Sequence, residues 1–351
     1  MELLILPVSG GRFIYQITIM EMLSEINYEP NLIFSSSGGN VCSMIAAAAD
    51  WKWNKMEIIL RQLKKNMFST YWNSFYPLSF IIGYFKGNLF NEGKGIDFIF
   101  NNYFNKERIK KYEIWTGTFN MTQNKPRVFC NKDKKDCLLD DSYIDYDLYQ
   151  TLPPIYANGD LKLIEKYSIA SAAIPGTIPP IMIEDEYYID GGVSSASPLY
   201  IMKQSILKLI GDKPMHLIYI GAYNLNCTYN KDKKNLFNIF HDITSNIFKS
   251  QFILDRVSAF ELLNSFPGKL NYIYLKFNFE VMKKIKEFKK EIKYSLLEVF
   301  PENIQSLNIF NFTDEELDNF IKTKKKYKCS FWWLGENNNI IKDINKYIIK
   351  K

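Results

Sequence analysis

Over the first fifty residues, the order of apolar and polar positions repeats one unit. Residues 3–8 form a short apolar run that ends in Ser-Gly-Gly, and apolar side chains then recur at Phe13, Ile17, Met20 and Leu23. A short apolar run, a glycine turn and spacings of three and four predict a strand, a turn and a helix over 13–26. The unit recurs, with a second strand predicted over 31–36 and an Ala-rich helix over 38–50. Two such units in succession argue for a parallel sheet covered by helices, because parallel neighbours need crossover connections.

Further along, residues 51–105 read as mostly helical and aromatic-rich, fit for a cap or a substrate wall. Strands are predicted over 113–120, 127–130, 186–189, 216–221 and 272–277. The charged stretch 131–147 reads as an exposed loop or hairpin, and 230–235 as a surface loop. Beyond 279, Met282, Ile285, Phe288 and Ile292 fall at helical spacing with lysines between them, an amphipathic helix. Such a helix can dock on the body of the protein with its basic face in solvent, or lie on a membrane surface. The expected division is one large domain over 1–278 and a Lys-rich helical extension over 279–351 packed on it.

Composition narrows the classes. The 351 residues are 47% hydrophobic and 23% charged, enough apolar material for a core and unlike a disordered chain. The net charge of +6 is spread along the chain rather than gathered in a stripe, so nucleic acid is not an expected partner. Five cysteines at irregular spacing make no disulfide framework. The two closest, Cys130 and Cys137, have no His or second pair nearby, so no metal or other cofactor is expected and a reducing compartment fits. Glu2 precedes the first apolar run and Pro7 interrupts it, which is not the layout of a signal peptide. The most apolar window, 78–85, falls short of the roughly 18 residues of a spanning helix, so any membrane contact would be peripheral. The expected location is cytoplasmic or peripheral to membranes.

Candidate chemistry starts at Phe34-Ser35-Ser36-Ser37-Gly38-Gly39-Asn40, between a predicted strand and a small-residue helix. A nucleophile on such a sharp turn needs small residues two before and two after it. Ser37 has Ser35 and Gly39 at those places, whereas Ser36 would put Phe34 at the first. Ser37 would also stand at a helix N-terminus, whose free N–H groups favour a developing oxyanion. On its own a Ser-Gly turn before a helix is as readily a cap. A second element, Ile189-Asp190-Gly191-Gly192, puts an acid at the end of a predicted strand, although Asp-Gly also serves plain turns. Between the two lies Ala170-Ser171-Ala172-Ala173-Ile174-Pro175-Gly176-Thr177-Ile178-Pro179-Pro180.

In that order, over roughly residues 3–222, these motifs resemble the patatin-like phospholipase family. Ser9-Gly10-Gly11-Arg12 resembles the family's G-G-G-x-R loop, with Gly10 on its third Gly and Arg12 on its Arg. Val8, Ser9 and Phe13 stand where the family has further glycines. The resemblance implies a three-layer α/β/α sandwich with a mainly parallel sheet. It also implies a Ser37–Asp190 dyad acting through an acyl-enzyme, with an oxyanion hole at Gly10, Gly11 and Gly38. Arg12 would hold the loop or meet an anionic headgroup. The two histidines support the absence of a third catalytic member: His216 opens an apolar strand and His241 sits in a helical stretch. The expected activity is hydrolysis of phospholipid or other acyl esters, of phospholipase A or lysophospholipase type. The alternative from another class is a catalytically silent module binding lipid or a protein partner through the same cleft. A nucleotide-binding domain is disfavoured, because neither G-x-G-x-x-G nor G-K-[ST] is present. Acyl position, headgroup and oligomeric state are not legible.

Overall fold

A computed structural model of the chain describes residues 1–72, 94–175, 178–222, 236–301, 318, 327–336, 342 and 344–349, with the side chains of 11, 64–72, 94–95, 106 and 236–245 excepted. The apolar window 78–85, the loop expected over 230–235, Gly176, Thr177 and the His241 side chain lie outside that description.

The strands predicted near the N-terminus, over 113–120 and over 216–221 lie side by side in one sheet. They are β1 (Glu2–Leu6), β2 (Leu32–Ser36), β3 (Glu113–Asn120) and β8 (Met215–Ile220). The other described strands are β4 (Lys125–Cys130), β5 (Leu152–Tyr156), β6 (Ile181–Ile183), β7 (Glu186–Asp190), β9 (Leu270–Phe277), β10 (Tyr294–Pro301) and β11 (Tyr327–Leu334). The order is β5-β4-β3-β2-β1-β8-β10-β11-β9, with the β6–β7 hairpin paired to β3 off this path. The stretch from β3 to β10 is parallel throughout, and the flanking pairs β3–β4, β10–β11 and β11–β9 are antiparallel.

Alternation along these strands sends apolar side chains to both faces, as a sheet covered on both sides requires. Leu4, Leu6, Ile33, Ile218 and Leu297 belong to one core, and Leu3, Ile5, Phe34, Leu217, Tyr219 and Leu296 to the other. The first face is covered by α1 (Phe13–Glu25), α2 (Gly38–Ala48), α3 (Trp53–Trp72), α4 (Lys94–Tyr103), α5 (Lys106–Lys111), α6 (Leu161–Ser171) and α9 (Phe279–Phe288). The second is covered by α7 (Leu199–Ile210) and α8 (Leu236–Asn264). The expected three-layer α/β/α sandwich is therefore present. Helix α1 is buried from Phe13 to Leu23 rather than on one face. Its Gln16 donates to the carbonyls of Pro7 (2.9 Å) and Ile220 (3.0 Å), tying the helix to the ends of β1 and β8.

One expectation narrows and one changes. The stretch 131–147 is a loop with two 3-10 turns rather than a hairpin. It is strapped to the sheet by the buried Glu113 carboxylate, which accepts from Leu138 N–H (2.6 Å), Leu139 N–H (3.3 Å) and Trp115 Nε1 (2.9 Å). The extension 279–351 is not helical alone. The amphipathic helix exists as α9, burying Val281, Met282, Ile285 and Phe288, but β10 and β11 follow it into the sheet. The reason is an unpaired edge: β8 needs a neighbour, and β10 supplies it in parallel register from Tyr294↔Met215 to Val299↔Ile220. Among the described residues, no helix is long and apolar enough to cross a membrane.

Candidate active site

One strand edge brings the two motifs together. β2 runs along β3 until Ser36 lies opposite Gly117, where β2 ends and α2 begins. The same edge of β3 is then taken over by β7, arriving antiparallel, with Asp190 opposite Thr118. Residues 36 and 190 thus face consecutive positions of β3, and their strands meet end to end. Ser37, the next residue of the chain, donates from Oγ to Asp190 Oδ2 at 2.6 Å across a sequence separation of 153. This is the carboxyl end of the parallel strands, where sites collect in open α/β sheets.

Ser37 has φ 56 and ψ −131, a conformation that costs an L-residue about 1–3 kcal/mol. Local packing over-determines it. Its carbonyl accepts from Asn40 N–H (2.9 Å) and Val41 N–H (3.2 Å), which starts α2, and its own N–H donates to Ser171 Oγ at 3.0 Å. Ser171 Oγ in turn donates to Gly117 O at 2.8 Å. Gly39 allows the turn to sit against β1, since a Cβ there would lie 2.0 Å from Leu6 O. Ser35, in the position where a lipase elbow usually has Gly, is fully buried and bonded to Ser43 Oγ at 3.2 Å and to Asn40 Oδ1 at 3.4 Å. Its hydroxyl is absorbed by α2.

Asp190 is held as firmly. Its N–H donates to Ala173 O (3.0 Å), and its Oδ1 accepts the Gly192 N–H (2.7 Å). The two glycines after it have separate reasons. A Cβ on Gly191 would meet Gly117 O at 2.4 Å, and one on Gly192 would meet Val8 Cγ2 at 2.6 Å and Phe248 of α8 at 2.8 Å. Burial pushes the Asp190 carboxyl up to about 7, and the bonds from Ser37 and Gly192 oppose that rise. A carboxyl in that range can take a hydroxyl proton near neutral pH and return it.

The Gly-rich loop lies beside the amino end of α2. Gly10, at φ +54, opens a 3-10 turn over Gly10–Arg12, and a Cβ on Gly38 would come within 2.3 Å of Gly10 O. The first N–H groups of an α-helix have no partner within it, and at α2 the first two belong to Gly38 and Gly39. Arg12 contributes its backbone N–H to Ser9 O (3.1 Å) and stands at the N-cap position of α1 without a capping side-chain bond. Phe13, where the family carries Gly, is buried in the helix-side core.

His216 does not join the site. It pairs with Glu2 at the opposite end of the sheet, about 20 Å along the strands from Ser37 at ~3.3 Å per residue. It is bonded to Ser295 Oγ at 2.9 Å and held down to about 3 by burial, with Lys289 and the N-terminus adding to the effect. Two participants escaped sequence reasoning. Ser171 lay inside a quoted motif without a role, and Gly117 was readable as an isolated glycine within a strand, a sign of close backbone approach. A Cβ at Gly117 would meet Ser36 Oγ at 2.4 Å.

Residues 9–203 match the family described as patatin-like phospholipase. No curated protein matches the chain significantly. Nine solved chains do. One is similar to it at 10% identity over 99% of this chain and 67% of its own, the crystal structure of VipD from Legionella pneumophila. Its TM-score is 0.33, so the family assignment rests on the sequence match.

Proposed function

Since the chain belongs to the patatin-like phospholipase family, we propose that it hydrolyses fatty acyl esters of phospholipids or lysophospholipids through a Ser37–Asp190 dyad. The observation that carries this reading is the 2.6 Å bond from Ser37 Oγ to Asp190 Oδ2, on a strained turn at a helix N-terminus. Asp190 accepts the hydroxyl proton as Ser37 Oγ attacks the ester carbonyl. N–H groups of Gly10, Gly11 and Gly38 stabilise the tetrahedral oxyanion, an interaction of about 3–4 kcal/mol per donor in well-studied hydrolases. The intermediate collapses, the alcohol leaves with the proton from Asp190, and the acyl group stays on Ser37. Asp190 then takes a proton from the water that attacks the acyl-enzyme and returns it to Ser37 Oγ as the fatty acid is released. Arg12 steadies the loop or meets an anionic headgroup.

The test is product analysis of mixed phospholipid vesicles incubated with wild type, Ser37→Ala and Asp190→Asn. Free fatty acid with the matching lysophospholipid or glycerophosphodiester is expected from wild type alone. No hydrolysis by wild type above the Ser37→Ala background would instead favour a silent binding module.

A further inference from the structure

We infer that Ser171 is a positioning residue for the nucleophile, an inference that rests on the Ser37–Asp190 reading above. Ser171 ends α6 and is fully buried. Its Oγ does two jobs at once, accepting the Ser37 N–H at 3.0 Å and donating to Gly117 O at 2.8 Å. Gly117 lies opposite Ser36, the last residue of β2, and next to Thr118, which lies opposite Asp190. One hydroxyl therefore links the backbone of the nucleophile to the strand that sets the register of both dyad members.

The same short segment holds the base, because Ala173 O accepts the Asp190 N–H at 3.0 Å. Residues 171 and 173 thus fix the main chains of nucleophile and base from one side. The bond has a chemical consequence as well. With the Ser37 N–H spent on Ser171, the oxyanion donors must come from the Gly10 loop and the start of α2. Removing the hydroxyl leaves a buried N–H unsatisfied and takes away one of the bonds that hold Ser37 in its strained conformation. Relaxation would turn Ser37 Oγ away from Asp190 Oδ2 without touching the surfaces that bind substrate.

The experiment compares full-length wild type and Ser171→Ala in three readouts: ester hydrolysis, the rate of covalent labelling by a fluorophosphonate, and the thermal midpoint. We expect kcat and the labelling rate to fall together by about ten- to a hundredfold, the effect of one buried hydrogen bond and a misplaced nucleophile. KM should stay within about twofold, as for a change that weakens stabilisation of the transition state and leaves substrate binding alone. A labelling rate equal to that of wild type, or a loss confined to KM, would overturn the inference. Should Ser171→Ala not fold, Ser171→Cys carries the test, since its near-isosteric thiol bonds weakly. Labelling a few-fold below wild type is then expected, and an unchanged rate overturns the inference. Mapping the adduct separates the two levels of argument. Wild type labelled at Ser37 with Ser171→Ala unaffected removes the positioning role and leaves the dyad, whereas wild type unlabelled at Ser37 removes both.

Discussion

The burial of Asp190 should cost the protein stability, and Asp190→Asn should recover it in a pH-dependent way. The carboxyl is 0% exposed and is pushed from 3.8 up to about 7 by burial. A folded-state value above the unfolded one means that the native state holds the proton more tightly. Stability is therefore highest below the unfolded value near 4, falls as pH rises toward 7, and levels off above it. Three units at about 1.4 kcal/mol each give an upper bound of about 4 kcal/mol lost by pH 8. Asparagine has the same shape and carries no charge to desolvate; with its Oδ1 accepting from Gly192 N–H, its Nδ2 can donate to Ser37 Oγ. Urea denaturation of wild type and Asp190→Asn at pH 4, 6 and 8 measures the difference directly. The variant should match wild type at pH 4 and exceed it by about 1–4 kcal/mol at pH 8, with a thermal midpoint several degrees higher. A second buried carboxyl, Asp255, is also pushed up to about 7 and bonded to Ser197 Oγ at 2.7 Å, but it is common to both proteins and cancels. A difference that does not change with pH, or a variant less stable at pH 8, would refute the desolvation argument.

Ester hydrolysis should fall with unit slope as pH drops through about 7, because the base must be ionised to accept the Ser37 proton; a profile flat from pH 5 to 8 would count against Asp190. Gly39→Ala should destabilise the protein by about 1–3 kcal/mol or more in urea titration and abolish activity, because its Cβ would lie 2.0 Å from Leu6 O. His216→Asn should retain the wild-type rate and pH profile, since the ring sits with Ser295 at the far end of the sheet; a large loss of kcat would bring a histidine back into the mechanism.

Much of the site was legible because its constraints are local. A tight strand-to-helix turn demands small residues at 35 and 39, and the two glycines after Asp190 follow from the close approach of that turn to β3 and Val8. β1 and β8 were legible because burial on both faces makes them read as apolar runs. What escaped depends on partners far away in the chain. Glu298, at the heart of β10, is fully buried. It accepts a two-pronged bond from Arg256 (2.6 and 3.0 Å) and one from Trp332 (3.1 Å), which lie 42 and 34 residues from it. Ser171 likewise meets its partner 134 residues away, so the motif was visible and its role was not.

The central claim is that Ser37 carries the acyl group. Its most direct test is mass spectrometry of the enzyme quenched during turnover of a slowly deacylated fatty acyl ester, with peptides mapped for the acyl mass. The dyad predicts an acyl adduct on Ser37 in wild type and none in Ser37→Ala, with hydrolysis lost in parallel. An adduct on another residue, or undiminished hydrolysis by Ser37→Ala, would contradict it.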